Sequence, residues 1–425
     1  MRSLIRRVPL TTTTLFVAAL LAVAAPASAQ VVAITGARVH TAAGPVLERA
    51  TVLIRDGRIA AVGADVQVPA GARVIDGAGK VVTPGFLDSY TGIGVIEISA
   101  AAGTADGSTS DPRITAAFRV TDALNPFSTL IPITRVEGVT RAIVAPQASG
   151  SLIAGQGVLI DLGNQGSVLT VHRDPVAMFA VLGEAGAGRA GGSRGAAMLQ
   201  LREALQDARD YAANRAAFET GQRRSYVLSR LDLEALAPVA AGTVPLVVTV
   251  SRASDILAAL RLAREDGLRL ILAGAEEGWM VAREIADAGV PVITDPSRNV
   301  PGFASLGIRH DNAALLDAAG VTVAIATFES HNSRNLKQRA GIAVAYGLSH
   351  DAAVRAVTVN PARIWGVAGE YGTLEAGRAA DVVIWSGDPF ELLTNVEHVF
   401  IAGREMPADT RQRELLRRYR TIGGG

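Results

Sequence analysis

A chain of 425 residues, 49% of them hydrophobic, can bury one large apolar core and a smaller one. With 41 Lys and Arg against 40 Asp and Glu it is almost neutral, so its charge gives no sign of a nucleic-acid or polyanion partner. The absence of cysteine excludes disulfides, thiolate nucleophiles and zinc–thiolate centres, and only Lys80 and Lys337 are available for lysine chemistry.

The first 29 residues read as an export signal. Arg2, Arg6 and Arg7 supply a positive start, Leu15 to Ala25 is an unbroken apolar run, and Ala27-Ser28-Ala29 offers a small-residue cleavage site. Eleven apolar residues are too few to span a bilayer, so the expectation is an exported chain beginning near Gln30 with no stable membrane anchor. In a two-membrane bacterium that places it in the periplasm.

Residues 31–83 predict short strands. Val31 to Ile34 and Thr51 to Arg55 are apolar at strand length, and Asp56-Gly57 before Arg58 to Gly63 is a two-residue hairpin signal. The same texture returns at 380–401, in Ala380 to Trp385 and Val396 to Ile401. Pattern alone fits equally a single sandwich built from both ends or two unrelated β caps.

Between them, residues 84–368 alternate strands and helices. Pro245 to Val250 precedes an amphipathic run from Asp255 to Glu265, Leu268 to Leu272 precedes Trp279 to Ala288, and Asn312 to Ala319 precedes Val321 to Ala326. Buried parallel strands joined by crossover helices make a closed barrel when eight such units are present. The early part is less regular: Ala102 to Asp111 is a polar loop, and Gly183 to Gly195 reads as a glycine-rich loop with no phosphate-binding spacing. Residues 408–425 end in a basic helix, Arg411 to Arg420.

Three motifs carry further information. They are Pro84-Gly85-Phe86-Leu87-Asp88-Ser89-Tyr90-Thr91-Gly92, Asn360-Pro361-Ala362-Arg363, and the run from Gly372 to Asp381. Together they resemble the amidohydrolase superfamily, and most strongly its exported, imidazolonepropionase-like branch. The resemblance implies a (β/α)8 TIM-type barrel over 84–368 and one composite β-sandwich from 31–83 and 369–407. It also implies hydrolysis of non-peptide C–N bonds, of cyclic-amide type, by water on one or two metal ions at the carboxyl ends of the strands. Carried across position by position, however, Tyr90 and Gly92 stand where the first strand has two histidines. Thr249 stands at the fifth-strand histidine, Ala273 at the sixth, and Phe328 at the eighth-strand aspartate. Neither lysine lies near the fourth strand. The resemblance thus implies a fold without its usual metal set, and no metal or other cofactor is expected unless an alternative site exists.

Residues expected near the barrel face are Tyr90, Thr249, Asp295, Phe328, Glu329 and His331, with Glu97 close by. Glu329 and His331, two residues apart, suit either a relocated metal or a polar loop, and Asp295 before Pro296 suits a loop start. His172 and His310 read as structural, and Asp88 as a support for backbone amides. Three functions stay open. The chain is a catalytically degenerate member binding a small cyclic amide or peptide-like ligand, an active hydrolase with a relocated metal or none, or a homo- or hetero-oligomeric subunit partnering a metal-bearing relative.

Overall fold

The structure, a computed structural model, describes residues 31–163 and 168–420; the expected export signal lies outside them. β1 (Val32–Val39), β2 (Leu47–Arg55) and β3 (Arg58–Gly63) pair antiparallel, with Asp56 and Gly57 at φ 51° and 78° closing the two-residue turn. β4 (Arg73–Asp76) and β5 (Val81–Pro84) run parallel to β1. After Gly85 the chain enters a second sheet. Its strands are β6 (Phe86–Thr91), β7 (Val139–Val144), β8 (Ile153–Asp161), β9 (Val171–Val181), β10 (Leu246–Val250), β11 (Leu270–Gly274), β12 (Val292–Thr294) and β13 (Val323–Ile325), neighbours in that order. β14 (Val382–Trp385), β15 (Val396–Ile401) and β16 (Arg404–Glu405) then return to the first sheet, where β14 pairs antiparallel with β5. The β unit is therefore one continuous mixed sheet made from both segments.

The second sheet curls into a nearly closed barrel. Phe328 N donates to Tyr90 O at 3.0 Å, Gly92 N donates to Glu329 O at 3.0 Å, and Thr91 bridges Glu329, joining the end of the last strand to the first. Along the strands, side chains alternate between two cores. Leu246 and Val248 pack outward against the helices while Val247 packs into the lumen; Leu270 and Leu272 point out, Ile271 and Ala273 in. Burial on both faces is why these strands read as unbroken apolar runs. One departure from a strict strand–helix repeat is that β8 runs antiparallel to both neighbours, and no helix separates β7, β8 and β9 among the described residues. The stretch expected as a glycine-rich loop is instead largely helical: Gly183–Arg189 forms one helix, and Ser193 caps the next, Arg194–Ala213, by accepting from Ala196 N.

The β sheet is fastened to the barrel by the residues of the motifs. Along β14, Val383 and Trp385 pack on the barrel core while Val382 and Ile384 pack into the sheet's own cluster with Ile34, Val52 and Phe400. Asp381 pairs with Arg141 of β7 at 2.6 Å, both buried, and its carbonyl accepts from Gly85 N at 2.9 Å. Arg141 also lies over the Tyr371 ring at 3.5 Å, and His172 joins Arg141, Asp161 and Tyr371 in the same network. Asn360 Nδ2 donates to Val323 O at 2.9 Å, tying its helix to β13. Motif residues that look catalytic in sequence are thus joints between elements.

Candidate functional site

The carboxyl ends of the strands form the barrel mouth, and an aromatic stack fills its floor. Tyr90 at the end of β6 stacks on Phe328 with centroids 4.6 Å apart, and meets Phe179 of β9 edge-on at 5.5 Å. Phe328 reaches this position from a left-handed backbone, φ 55°, which a bulky residue rarely adopts. Phe179 in turn lies 6.4 Å from Trp365, whose Nε1 donates to Ser89 Oγ. Burial pushes the Tyr90 hydroxyl's pKa up, against a hydrogen bond with Thr249 of β10 and the nearby Arg298 charge. Tyr90 and Thr249 are therefore neutral partners at neutral pH.

Beneath the stack, Asp88 is fully buried. Its carboxylate accepts from Thr327 N at 3.1 Å, from Thr327 Oγ1 at 2.5 Å and from Tyr90 N at 3.3 Å. Burial is the largest influence and, with a smaller push from Asp295, holds its pKa at about 7 despite those hydrogen bonds. Asp295, after β12, accepts from Ser297 N at 2.9 Å and pairs with Arg298 at 3.7 Å and Arg339 at 3.5 Å. Arg298 also pairs with Glu276 at 3.4 Å and lies 4.9 Å over the Phe328 ring. These charges neutralise one another and brace the loop.

Opposite them a cavity of about 130 Å³ opens over Tyr90 and Phe179, walled by Val181, Gln147, Thr249 and Arg189. Arg189 donates to the carbonyls of Ala185 and Ala148, and its Nε is buried without a partner. A cavity near 150 Å³ holds a benzene-sized ring. This one therefore suits a small cyclic molecule with a carbonyl or anionic edge for Arg189.

Of the residues expected from the sequence, Tyr90, Thr249, Asp295 and Phe328 lie at the mouth. Glu329 and His331 do not contribute: both are exposed. The alternation that turns Phe328 inward carries the Glu329 side chain outward, while its carbonyl is spent closing the barrel on Gly92. Glu97 accepts from Thr129 Oγ1 at 3.3 Å, and His310 stacks on Tyr346 at 4.1 Å. Sequence reading missed Phe179, Arg189, Arg298 and Arg339. A lone arginine in a loop carries no motif, and strand four was not locatable by pattern.

Comparison with known proteins places this geometry. The model of the Amidohydrolase family matches residues 204–406. The solved structure of an amidohydrolase from Thermotoga maritima MSB8 aligns with TM-score 0.79 at 25% identity, over 88% of this chain and 99% of that one. The chain belongs to the amidohydrolase superfamily. Among superfamily relatives, a dihydroorotase of Anaeromyxobacter dehalogenans is 25% identical over 88% of this chain and 94% of its own length. Amidohydrolase tasK of Hapsidospora irregularis is 24% identical over 79% of this chain, which spans only 37% of that protein. An imidazolonepropionase of Sphingopyxis alaskensis matches more locally, 46% over 55 residues, or 13% of this chain and 14% of the relative.

Superfamily resemblance implies a metal at this mouth, and the residues present do not fit one. At the positions it assigns to ligands stand a neutral phenol engaged with Thr249, a glycine, a threonine, an alanine and a phenylalanine. At the fourth strand, β9 ends in Val181-Leu182-Gly183. Among the described residues no three His, Asp or Glu donors converge at the mouth; the group whose geometry suits an ion lies elsewhere.

Proposed function

We propose that this chain is an exported, imidazolonepropionase-like member of the superfamily that binds a small cyclic amide or peptide-like ligand at the barrel mouth without hydrolysing it. One observation carries the reading: the Tyr90–Phe328 stack at 4.6 Å occupies the strand ends that would otherwise hold the hydrolytic metal. Hydrolysis of an unactivated amide needs a strong nucleophile and charge stabilisation at the carbonyl. Here the nearest carboxylates, Asp88 and Asp295, are engaged by Thr327, Tyr90, Ser297 and arginines. Recognition needs less. Aromatic faces hold a flat ring, and Gln147, Thr249 and Arg189 border the cavity as polar partners for its amide edge. Export rests on the residues before Gln30 and is tested by N-terminal sequencing of the secreted form.

The decisive experiment is calorimetric titration of the untagged mature protein with hydantoins, dihydropyrimidinones and cyclic dipeptides, with ring opening followed by chromatography, with and without added zinc. The reading predicts saturable binding of at least one ring class and no ring opening in either condition. Zinc-dependent ring opening that Thr249→Ala or Tyr90→Ala abolishes would overturn it.

A further inference from the structure

Where the β sheet meets the barrel, two histidines separated by about 300 residues come together. His40 follows β1 directly, is only 5% exposed, and donates its backbone amide to Val82 O at 2.9 Å. His350 and Asp351 open the helix His350–Val357, whose Ser349 cap accepts from Ala352 N. The imidazoles lie 5.2 Å apart between centroids, and His40 Nδ1 is 3.9 Å from Asp351 Oδ1. One donor atom from each of His40, His350 and Asp351 falls within 4.8 Å of the others. Among the described residues no hydrogen bond reaches either ring nitrogen of His40. A buried imidazole turned toward a second imidazole and a carboxylate, with no partner of its own, lacks a purely structural reason to be there.

The surroundings match what a metal ligand set needs. Asp388, after β14, accepts from His350 Nε2 at 2.9 Å and from Phe390 N at 2.9 Å. A carboxylate on one imidazole nitrogen fixes the ring and raises the basicity of the other. Burial first, then the neighbouring His350 and Arg38 charges, lowers the His40 pKa, which keeps its ring neutral and able to ligate at neutral pH. A cavity of about 300 Å³ lined by His40, Asp351, Arg355 and Arg363 gives a path from solvent. In a tetrahedral zinc site donors stand about 3.3 Å apart, so the set must draw in slightly, which the exposed Asp351 side chain allows. The site is remote from the mouth: Phe390, packed on His350 at 4.9 Å, stacks on Phe86, the first residue of β6.

We infer that His40, His350 and Asp351, with Asp388 behind His350, form a divalent transition-metal site of zinc class that staples β1 to the helix His350–Val357. Two imidazoles and a carboxylate select zinc, cobalt or nickel over magnesium and calcium. The inference is independent of the mouth, and it means that zinc in the purified protein would not by itself identify a hydrolytic centre.

The test uses untagged full-length mature protein, stripped with chelator and titrated with Zn2+ and Co2+, reading stoichiometry, the visible Co2+ spectrum and the thermal unfolding midpoint. One equivalent is expected to bind, with a Co2+ spectrum of nitrogen–oxygen ligation and a raised midpoint. Asp351→Asn, an exposed change that leaves the fold intact, is expected to weaken binding at least tenfold, as is His350→Gln. His331→Ala, at the opposite end, is expected to leave it unchanged. Absence of stoichiometric Zn2+ binding, equal affinity for Mg2+, or unchanged affinity in both Asp351→Asn and His350→Gln would overturn the inference. So would inorganic phosphate raising the midpoint where Zn2+ does not, since Arg355 and Arg363 would then define an anion site.

Discussion

Asp88 shows how one buried side chain ties the mouth to solution pH. Its folded pKa of about 7 stands above the ordinary value of 3.8. Between those values the folded state holds a proton that the unfolded chain has released, so the stability is full below about pH 4 and is lost as pH rises toward 7. Asp88→Asn is expected to flatten this dependence. Its unfolding free energy relative to wild type should improve by roughly 4 kcal/mol between pH 4 and pH 8, measured by denaturant titration across that range. Arg189 governs recognition rather than stability. Arg189→Met keeps the stem and removes the buried Nε donor, so a ring ligand at the mouth should lose about tenfold to a hundredfold in affinity by calorimetry. The importance of Tyr90, Thr249, Asp295 and Phe328 was legible because strand ends are where a barrel presents side chains. The arginines were not, because nothing in a sequence says which loop residue folds back over a neighbouring strand. His40 and His350 were illegible for the same reason: only the pairing of β5 with β1 and β14 brings them together.

At the scale of elements, alternation decided most of what could be read. β10, β11 and β13 were recognisable as apolar runs because both their faces are buried. The helix expected from Asp255 to Glu265 is Ala253–Asp266, closed by Gly267 at φ 65°. Gly183–Arg189 was misread because glycine normally disfavours helix; here Gly186 lies against the Val181 carbonyl, where a Cβ would come within 2.7 Å of its oxygen. Tertiary contact overrode propensity. Gly138, before β7, is a sharper case. At φ 91° it faces Trp385, and a Cβ there would sit 2.4 Å from the indole edge. Gly138→Ala should therefore lower unfolding free energy by about 3 kcal/mol, from backbone strain and overpacking together, read by denaturant midpoint.

At the scale of the molecule, the two segments of the β sheet make it and the barrel one unit. The Arg141–Asp381 pair is buried on both sides, so removing one partner strands the other charge. Asp381→Asn is expected to cost about 3–5 kcal/mol and to lower the thermal midpoint of sheet and barrel together rather than splitting the transition. The superfamily fold was readable because its signature residues, Gly85, Asn360 and Asp381, bond across elements that meet only in the folded state. The same residues say nothing about chemistry, which depends on side chains grafted onto the strand ends. What a fold relative does there does not transfer when Tyr90 and Phe328 replace the ligands. The most direct measurement of that claim is anomalous diffraction at the zinc edge from crystals soaked in zinc. The account predicts strong density at His40, His350 and Asp351 and none within the barrel mouth; a zinc ion coordinated beside Tyr90, Thr249 or Asp295 would contradict it.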